Sequence, residues 1–440
     1  MTRKAFSAIG VATLLTMPWL WSWLPLGSGL STVATVGVSG VGILGAAFLL
    51  TWGAETAEKD VPRAFAIAVL AVLAVAPEYA VDALYAWNAG AFAGTPQGAE
   101  AGNLAVANMT GANRILIGIG WAGIALFTIF RSGAASDPAV ESRDGFLTDA
   151  VTLDHDIGLE IVFLFAATVW AFAVPLGGGI GAIDFLVLVG IYAAYLLIVI
   201  RGEPDGESDH GGVPGALQQL SRPVRIGSVL ALFAFSGLVI FTAVKPFAHG
   251  LESLGTQVGI PAFFMIQWIA PLASESPELI VVLVLVNKAR STAGFNALIS
   301  SKLNQWTLLI GTLVVVYSLA LGQYGALPFD QKQAGEIWLT AAQSLFALAL
   351  IVDFEISIRE AIALLVLFVT QVATEFLTIR GVLDLPLSEF EVLLVFSVVY
   401  VVLSVALLVA RRDDVTRLAG QVRRVVSRRF ERTAQPQYAD

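Results

Sequence analysis

Twelve apolar stretches, each near the roughly 20 residues that a helix needs to cross a bilayer, leave this chain few folds to choose from. Within hydrocarbon no water pairs with the backbone, so stretches of that length pair their own N–H and C=O groups as helices. The stretches fall near 5–25, 30–52, 62–88, 103–130, 157–175, 182–200, 224–246, 257–287, 293–320, 336–354, 359–378 and 389–410. The expected fold is an all-α polytopic membrane protein. Charge supports it: 13% of the residues are Asp, Glu, Lys or Arg, against about 25% in soluble domains. The absence of cysteine excludes both a disulfide framework and a thiolate metal site. The N-terminal run begins with a basic pair, as a signal peptide does, but lacks a small-x-small cleavage site. It reads as a retained first helix whose Trp19, Trp21 and Trp23 lie at a membrane interface.

Cytoplasmic loops carry an excess of Lys and Arg. With twelve spans and the Arg-rich tail inside, the inner segments hold Arg3, Lys4, Lys59, Arg63, Arg131, Arg143, Arg201, Arg222, Arg225, Lys288, Arg290 and Arg359. The outer loops hold only Lys245, Lys332 and Arg380. The expectation is a multi-pass protein of the cell membrane with both termini cytoplasmic.

Two of the spans carry a Pro-Glu pair where a plain membrane helix has none: Pro77-Glu78 in "AVAPEYAVDA" and Pro277-Glu278 in "PLASESPELIVV". The first span runs outward and the second, five helices later, runs inward. That relation is an inverted-topology repeat, common among secondary transporters. The helix after each pair is rich in Asn, and setting Asn113 against Asn304 aligns Thr110 with Ser301, Arg114 with Gln305 and Gly120 with Gly311. The expected organisation is a ten-helix core of two inverted five-helix repeats plus one extra helix at each end. Its segments are an N-terminal helix (1–29), the first repeat (30–200), an acidic cytoplasmic loop (201–223), the second repeat (224–380), a last helix (381–410) and a basic tail (411–440).

An ionised carboxylate within the bilayer costs several kcal/mol, and such residues mark ion or proton pathways. A proline inside a helix frees backbone carbonyls. Ca²⁺ takes six to eight oxygens from carboxylates, carbonyls and amides at about 2.3–2.6 Å. Glu78 and Glu278, with freed carbonyls and the amides of Asn113 and Asn304, supply such a set, and two carboxylates balance one divalent cation or hold two protons. A lone Glu near a helix end usually snorkels to water; the twin on the inverted partner argues against that here. Glu275 and Ser274 lie about one turn before Glu278. Asp82, one turn beyond Glu78, is an accessory relay or a solvated residue at the mouth, and Asn108, Asn113, Asn296 and Asn304 are ligands or glue between helices. Glu375, late in its helix, is expected near the outer surface. His155, His210 and His249 fall in expected loops and are read as having no metal role.

With these residues in view, the chain resembles the cation/Ca²⁺ antiporter superfamily, which includes Na⁺/Ca²⁺ and H⁺/Ca²⁺ exchangers. Its inverted repeats read G-T-S-x-P-E and then G-N-x-x-G-S-N-x-x-N/D. Ala76-Pro77-Glu78 and Ser276-Pro277-Glu278 match the x-P-E ends, and Asn108 to Asn113 (NMTGAN) is similar to N-x-x-G-S-N. The resemblance, over roughly 30–380, implies a central cation site on the two glutamates and alternating access by sliding of gating helices. It implies transported cations (Ca²⁺, Na⁺ or H⁺) and no cofactor. The departures are specific. Ala74-Val75 replaces Thr-Ser in the first repeat, Ser274-Glu275 replaces it in the second, and Ser300-Ser301-Lys302 stands for Gly-Ser-Asn. The last Asn/Asp position falls on Leu116 in the first repeat and on Gln305 in the second. Arg114 and Lys302 stand beside the expected site. Either they take the place of a transported Na⁺, or they snorkel away or pair with Asp82 or Glu275.

No H-E-x-x-H, G-x-S-x-G or nucleotide-binding loop occurs, so neither an enzyme nor an ATP-driven pump is expected. A Na⁺/H⁺-type exchanger, a cation channel and a non-transporting relative remain as alternatives. The expected partners are membrane lipid and inorganic cations, with no nucleic acid and no oligomeric state implied. The tail 411–440 suits either an amphipathic helix on the anionic inner leaflet or a topology signal.

Overall fold

The computed structural model describes residues 3–24, 29–57, 59–60, 75–132, 137–201, 212–384 and 386–434. Part of the expected third span (61–74, with Ala74) and most of the acidic loop (202–211, with His210) lie outside the described residues.

The first helices are α1 (Arg3–Trp23), α2 (Thr32–Ala57) and α3 (Ala76–Ala91). The next span is α4 (Pro96–Ile115), a π-helical turn at Leu116–Trp121, and α5 (Ala122–Ser132). Short strands β1 (Val140–Glu141) and β2 (Ala150–Thr152) precede α6 (Gly158–Ala171), and β3 (Gly179–Ile180) precedes α7 (Ala182–Ile200). A short helix, α8 (Gly212–Gln218), forms within the segment expected to be a loop and packs on α1 and α2. The second half holds α9 (Arg222–Gln257) and α10 (Ala262–Asn287), then α11 (Ser291–Asn304), a π-helical turn at Gln305–Leu309, and α12 (Ile310–Leu321). Strand β4 (Leu327–Pro328) leads into α13 (Gln331–Leu350), and β5 (Glu355–Ser357) into α14 (Ile358–Ile379). Helices α15 (Glu389–Ala410) and α16 (Arg412–Ala434) close the chain. Among the described residues nine helices are long and apolar enough to cross a membrane, ten with the bent α10 counted as one span. The expected spans at 62–88 and 336–354 correspond to α3 and α13, which are not among these.

The two halves pack as inverted copies. Helices α2 and α9, first in each half, lie against each other. Helix α3 packs on α4 while α10 packs on α11, and α7 packs on α12 while α14 packs on α5. The strands obey the same relation. β2, between the third and fourth helices of one half, pairs antiparallel with β5, between the fourth and fifth of the other. β3 and β4 pair with those positions exchanged, on the opposite face. Strands were absent from the all-helical expectation. They are two or three residues long and join loops outside the apolar spans, where alternation has no length in which to show.

The crossings are close because glycine lines them. A Cβ on Gly111 of α4 would meet the backbone O of Gln267 on α10 at 1.8 Å, and one on Gly90 of α3 would meet the O of Tyr317 on α12 at 2.4 Å. Backbones in such contact gain dispersion and interhelical hydrogen bonds, the forces that join helices in lipid. The tail forms the expected helix, but Leu418 is buried, and Val415, Val422 and Val426 pack beside it on the protein's own core.

Candidate functional site

Helix α3 starts at Ala76, with Pro77 in the first turn, where a missing N–H leaves no acceptor unpaired. Glu78 therefore stands in the first turn of α3. Its side chain is buried, and Oε1 has no hydrogen-bond partner among the described residues. The second Pro-Glu pair behaves differently. α10 continues through Pro277 but bends by 51° between Ala262–Ser276 and Glu278–Asn287.

The bend brings the carboxylates together. Glu78, Glu275 and Glu278 lie within electrostatic reach of one another, and Ser274 faces Glu78. Glu275 is buried and accepts a 2.6 Å hydrogen bond from Gln305 Nε2. Glu278 is half-buried, and its Oε2 accepts from Ser301 Oγ at 2.9 Å. Ser274 is buried, with its hydroxyl donated to Ala270 O and Pro271 O at 3.3 and 3.4 Å. One turn beyond Glu78, buried Asp82 accepts from Asn108 Nδ2 at 2.9 Å and keeps Oδ2 without a partner among the described residues.

Asn113 and Asn304 are both buried and sit just before the two π-helical turns. A π turn inserts an extra residue and re-aims the side chains around it, and it recurs at functional sites. The oxygen of Asn113 is occupied: Oδ1 accepts from Lys302 Nζ at 2.8 Å, and Nδ2 donates to Met109 O at 2.7 Å. Lys302 is fully buried, with Nζ 4.5 Å from the centre of the Trp306 ring, and it interacts electrostatically with Glu275. An amide oxygen and an indole face thus hold the buried ammonium, within electrostatic reach of one carboxylate.

Arg114 does not pair with Asp82 or Glu275, which corrects that sequence expectation. Its Nη2 donates to Glu336 Oε2 at 2.5 Å, and its guanidinium carbon lies 4.7 Å from the centre of the Trp268 ring. It is carried by the face of α4 that meets α13 rather than the face near Lys302, so its counter-charge comes from α13. Glu336 also accepts from Gln267 Nε2 at 3.0 Å. Glu375, expected near the outer surface, is buried, and it stands beside Glu336, Arg114 and Lys332. The sequence reading passed over Glu336. Its signal was a polar face on α13 at helical spacing, Gln333, Glu336, Thr340 and Gln343, all buried.

The histidines lie elsewhere. His155 meets the Phe354 ring edge-on, and His249 is within α9, not a loop, with Nδ1 3.2 Å from Glu252 Oε2. Among the described residues no three His, Asp or Glu side chains converge closely enough to cage a metal ion.

The family described as sodium/calcium exchanger protein matches residues 31–201 and 228–377. The crystal structure of an H⁺/Ca²⁺ exchanger, CAX, is similar at 42% identity and a TM-score of 0.84, covering 97% of this chain and 99% of that one. The structure of native YfkE shares the fold at 17% identity and a TM-score of 0.57, covering 84% and 99%. No curated protein matches the chain.

Proposed function

The chain belongs to the sodium/calcium exchanger protein family, and we propose that it is a secondary antiporter exchanging Ca²⁺ for protons through a site built on Glu78 and Glu278. The observation that carries this reading is Lys302, buried against Asn113 Oδ1 and beside the carboxylates. Counted without Asp82, which is held by Asn108 one turn away, three carboxylates and one ammonium leave two negative charges, which one Ca²⁺ or two protons balance. Na⁺ also binds neutral oxygens, and three of the positions that could supply them do not. Ala74 and Val75 offer no hydroxyl, and the Asn113 oxygen is taken by the lysine. A proton needs only a carboxylate. The similar CAX structure, of an H⁺/Ca²⁺ exchanger, favours the same coupling ion.

Glu275, with Ser274, Gln305, Ser301 and Asn304, lines the site. Asp82 and Asn108 extend it by one turn, and Lys302 is its fixed counter-charge. Arg114 stands outside it, against Glu336. The protein is a multi-pass transporter in lipid, not an enzyme, and takes no cofactor besides its cargo. On the distribution of Lys and Arg it lies in the cell membrane with both termini cytoplasmic and the β3–β4 face outward.

The test is Ca²⁺ uptake into liposomes holding purified protein, driven separately by a pH gradient and by a Na⁺ gradient. Uptake is expected with the pH gradient and is abolished by Glu78→Gln/Glu278→Gln. Uptake driven only by Na⁺ would overturn the coupling ion, and uptake surviving the double substitution would overturn the site.

A further inference from the structure

Behind Arg114 lies a second group of buried charges that the cation site does not use. Glu336, fully buried on α13, has Oε2 taken by Arg114 and Gln267, while Oε1 has no hydrogen-bond partner among the described residues. Glu375 on α14 is beside it, with Oε1 equally unsatisfied; Lys332 Nζ, at 3.7 Å, is too far to satisfy it. Two buried carboxylates side by side are both acceptors, so they attract one another only when a proton lies between them.

The surroundings are built for such a proton. A cavity of ≈ 10 Å³, the space of about one water, is lined by Arg114, Lys332, Gln371, Glu375 and Glu389. Arg114 Nε and Nη1, and both polar atoms of buried Gln371, are without hydrogen-bond partners among the described residues. Such a set calls for water. The charged and titratable groups facing the pair are Arg114 from α4, Lys332 from α13, and Glu389 and Tyr400 from α15, with Lys302 of α11 beyond Arg114. Lys332 and Glu389 form a 2.6 Å ion pair at the rim, on the β3–β4 face.

We infer that Glu336 and Glu375 are a second proton-binding site, sharing one proton and exchanging it with solvent on the β3–β4 face, separate from the cation site. Loading transfers a proton from water to a carboxylate oxygen; Arg114 stays protonated, and no other bond changes. Proton arrival from that face then depends on this pair as well as on the central glutamates. The link to transport rests on the exchange proposed above, while the shared proton does not.

The first test is therefore independent of transport. Infrared spectra of purified protein are compared for wild type, Glu375→Gln and Glu375→Asp. A protonated-carboxyl band present in wild type is expected to vanish in Glu375→Gln and return, shifted, in Glu375→Asp. The second test varies pH on the β3–β4 face of proteoliposomes at fixed pH on the other. Ca²⁺ uptake is expected to respond to that pH with a shifted midpoint in Glu375→Gln and to return to the wild-type profile in Glu375→Asp. An unchanged band, or a pH profile superimposable on wild type, overturns the inference. If wild type moves no Ca²⁺, the exchange reading fails, and the infrared result still decides the pair.

Discussion

In the exchange proposed above, Lys302 sets how many charges the central site has to exchange. Its ammonium is fully buried, held by Asn113 and the Trp306 ring, and within electrostatic reach of Glu275. Lys302→Gln keeps a donor for Asn113 and removes the charge, so the carboxylates need one more positive charge per loading. If wild type trades one Ca²⁺ for two protons, its uptake is indifferent to membrane potential. The variant would carry one unbalanced charge per cycle, and its uptake rate should follow an imposed K⁺ diffusion potential, at about 2.3 kcal/mol per charge per 100 mV. Rates equally indifferent in both proteins would remove Lys302 from the charge balance. What could be read from the sequence at this scale was the anomaly of a charge in an apolar run. Glu78, Glu278, Arg114 and Lys302 all announce themselves that way. Their partners do not. Glu336 is 222 positions from Arg114, and Asn113 is 189 from Lys302. Helical spacing within one segment carries no information about which face of another segment it meets.

At the scale of the element, close crossing decides whether the carboxylates of α3 and α10 reach one site. Gly111 lets α4 lie against the backbone of α10 at Gln267, ahead of the bend that carries Glu275 and Glu278. Gly111→Leu forces these helices apart. It is expected to destabilise the protein by about 1–3 kcal/mol, the cost of overpacking, and to reduce Ca²⁺ uptake more than stability alone explains. Gly123→Leu on the same span is the control, since a Cβ there meets nothing within 4 Å. Thermal unfolding in detergent and uptake in liposomes measure both; equal behaviour of the two variants would remove the crossing from the argument. The proline rule was legible only in part. Proline breaks helical hydrogen bonding wherever it stands, yet Pro77 lies in the opening turn of α3 whereas α10 runs on through position 277 with a bend. Packing chooses between those outcomes. The Asn-rich helices were legible as elements, but their π turns were not, because an extra residue in a turn leaves no mark on an apolar pattern.

The whole molecule carries its inversion in the strand pairs. β2–β5 and β3–β4 join equivalent loops with the halves exchanged, and they do so on opposite faces. One face must therefore be cytoplasmic and the other external, and charge selects which. Arg143 lies with the β1–β2 loop and Arg359 follows β5, whereas the β3 turn from Ala173 to Gly181 holds no basic residue. Lys and Arg are retained on the cytoplasmic side during insertion. The β3–β4 face should then be external, which also assigns the face from which the Glu336–Glu375 pair is reached. The natural chain has no cysteine, so single cysteines report without background. Gly177→Cys lies in the β3 turn, where a Cβ meets nothing within 4 Å, and Asp144→Cys lies in the exposed β1–β2 loop. In intact cells a membrane-impermeant maleimide should label Gly177→Cys, and should label Asp144→Cys only after permeabilisation. The reverse pattern would invert the orientation, make the Glu336–Glu375 pair answer to cytoplasmic pH, and leave the basic tail outside. Labelling of both before permeabilisation would contradict the separation of the two strand pairs by the membrane.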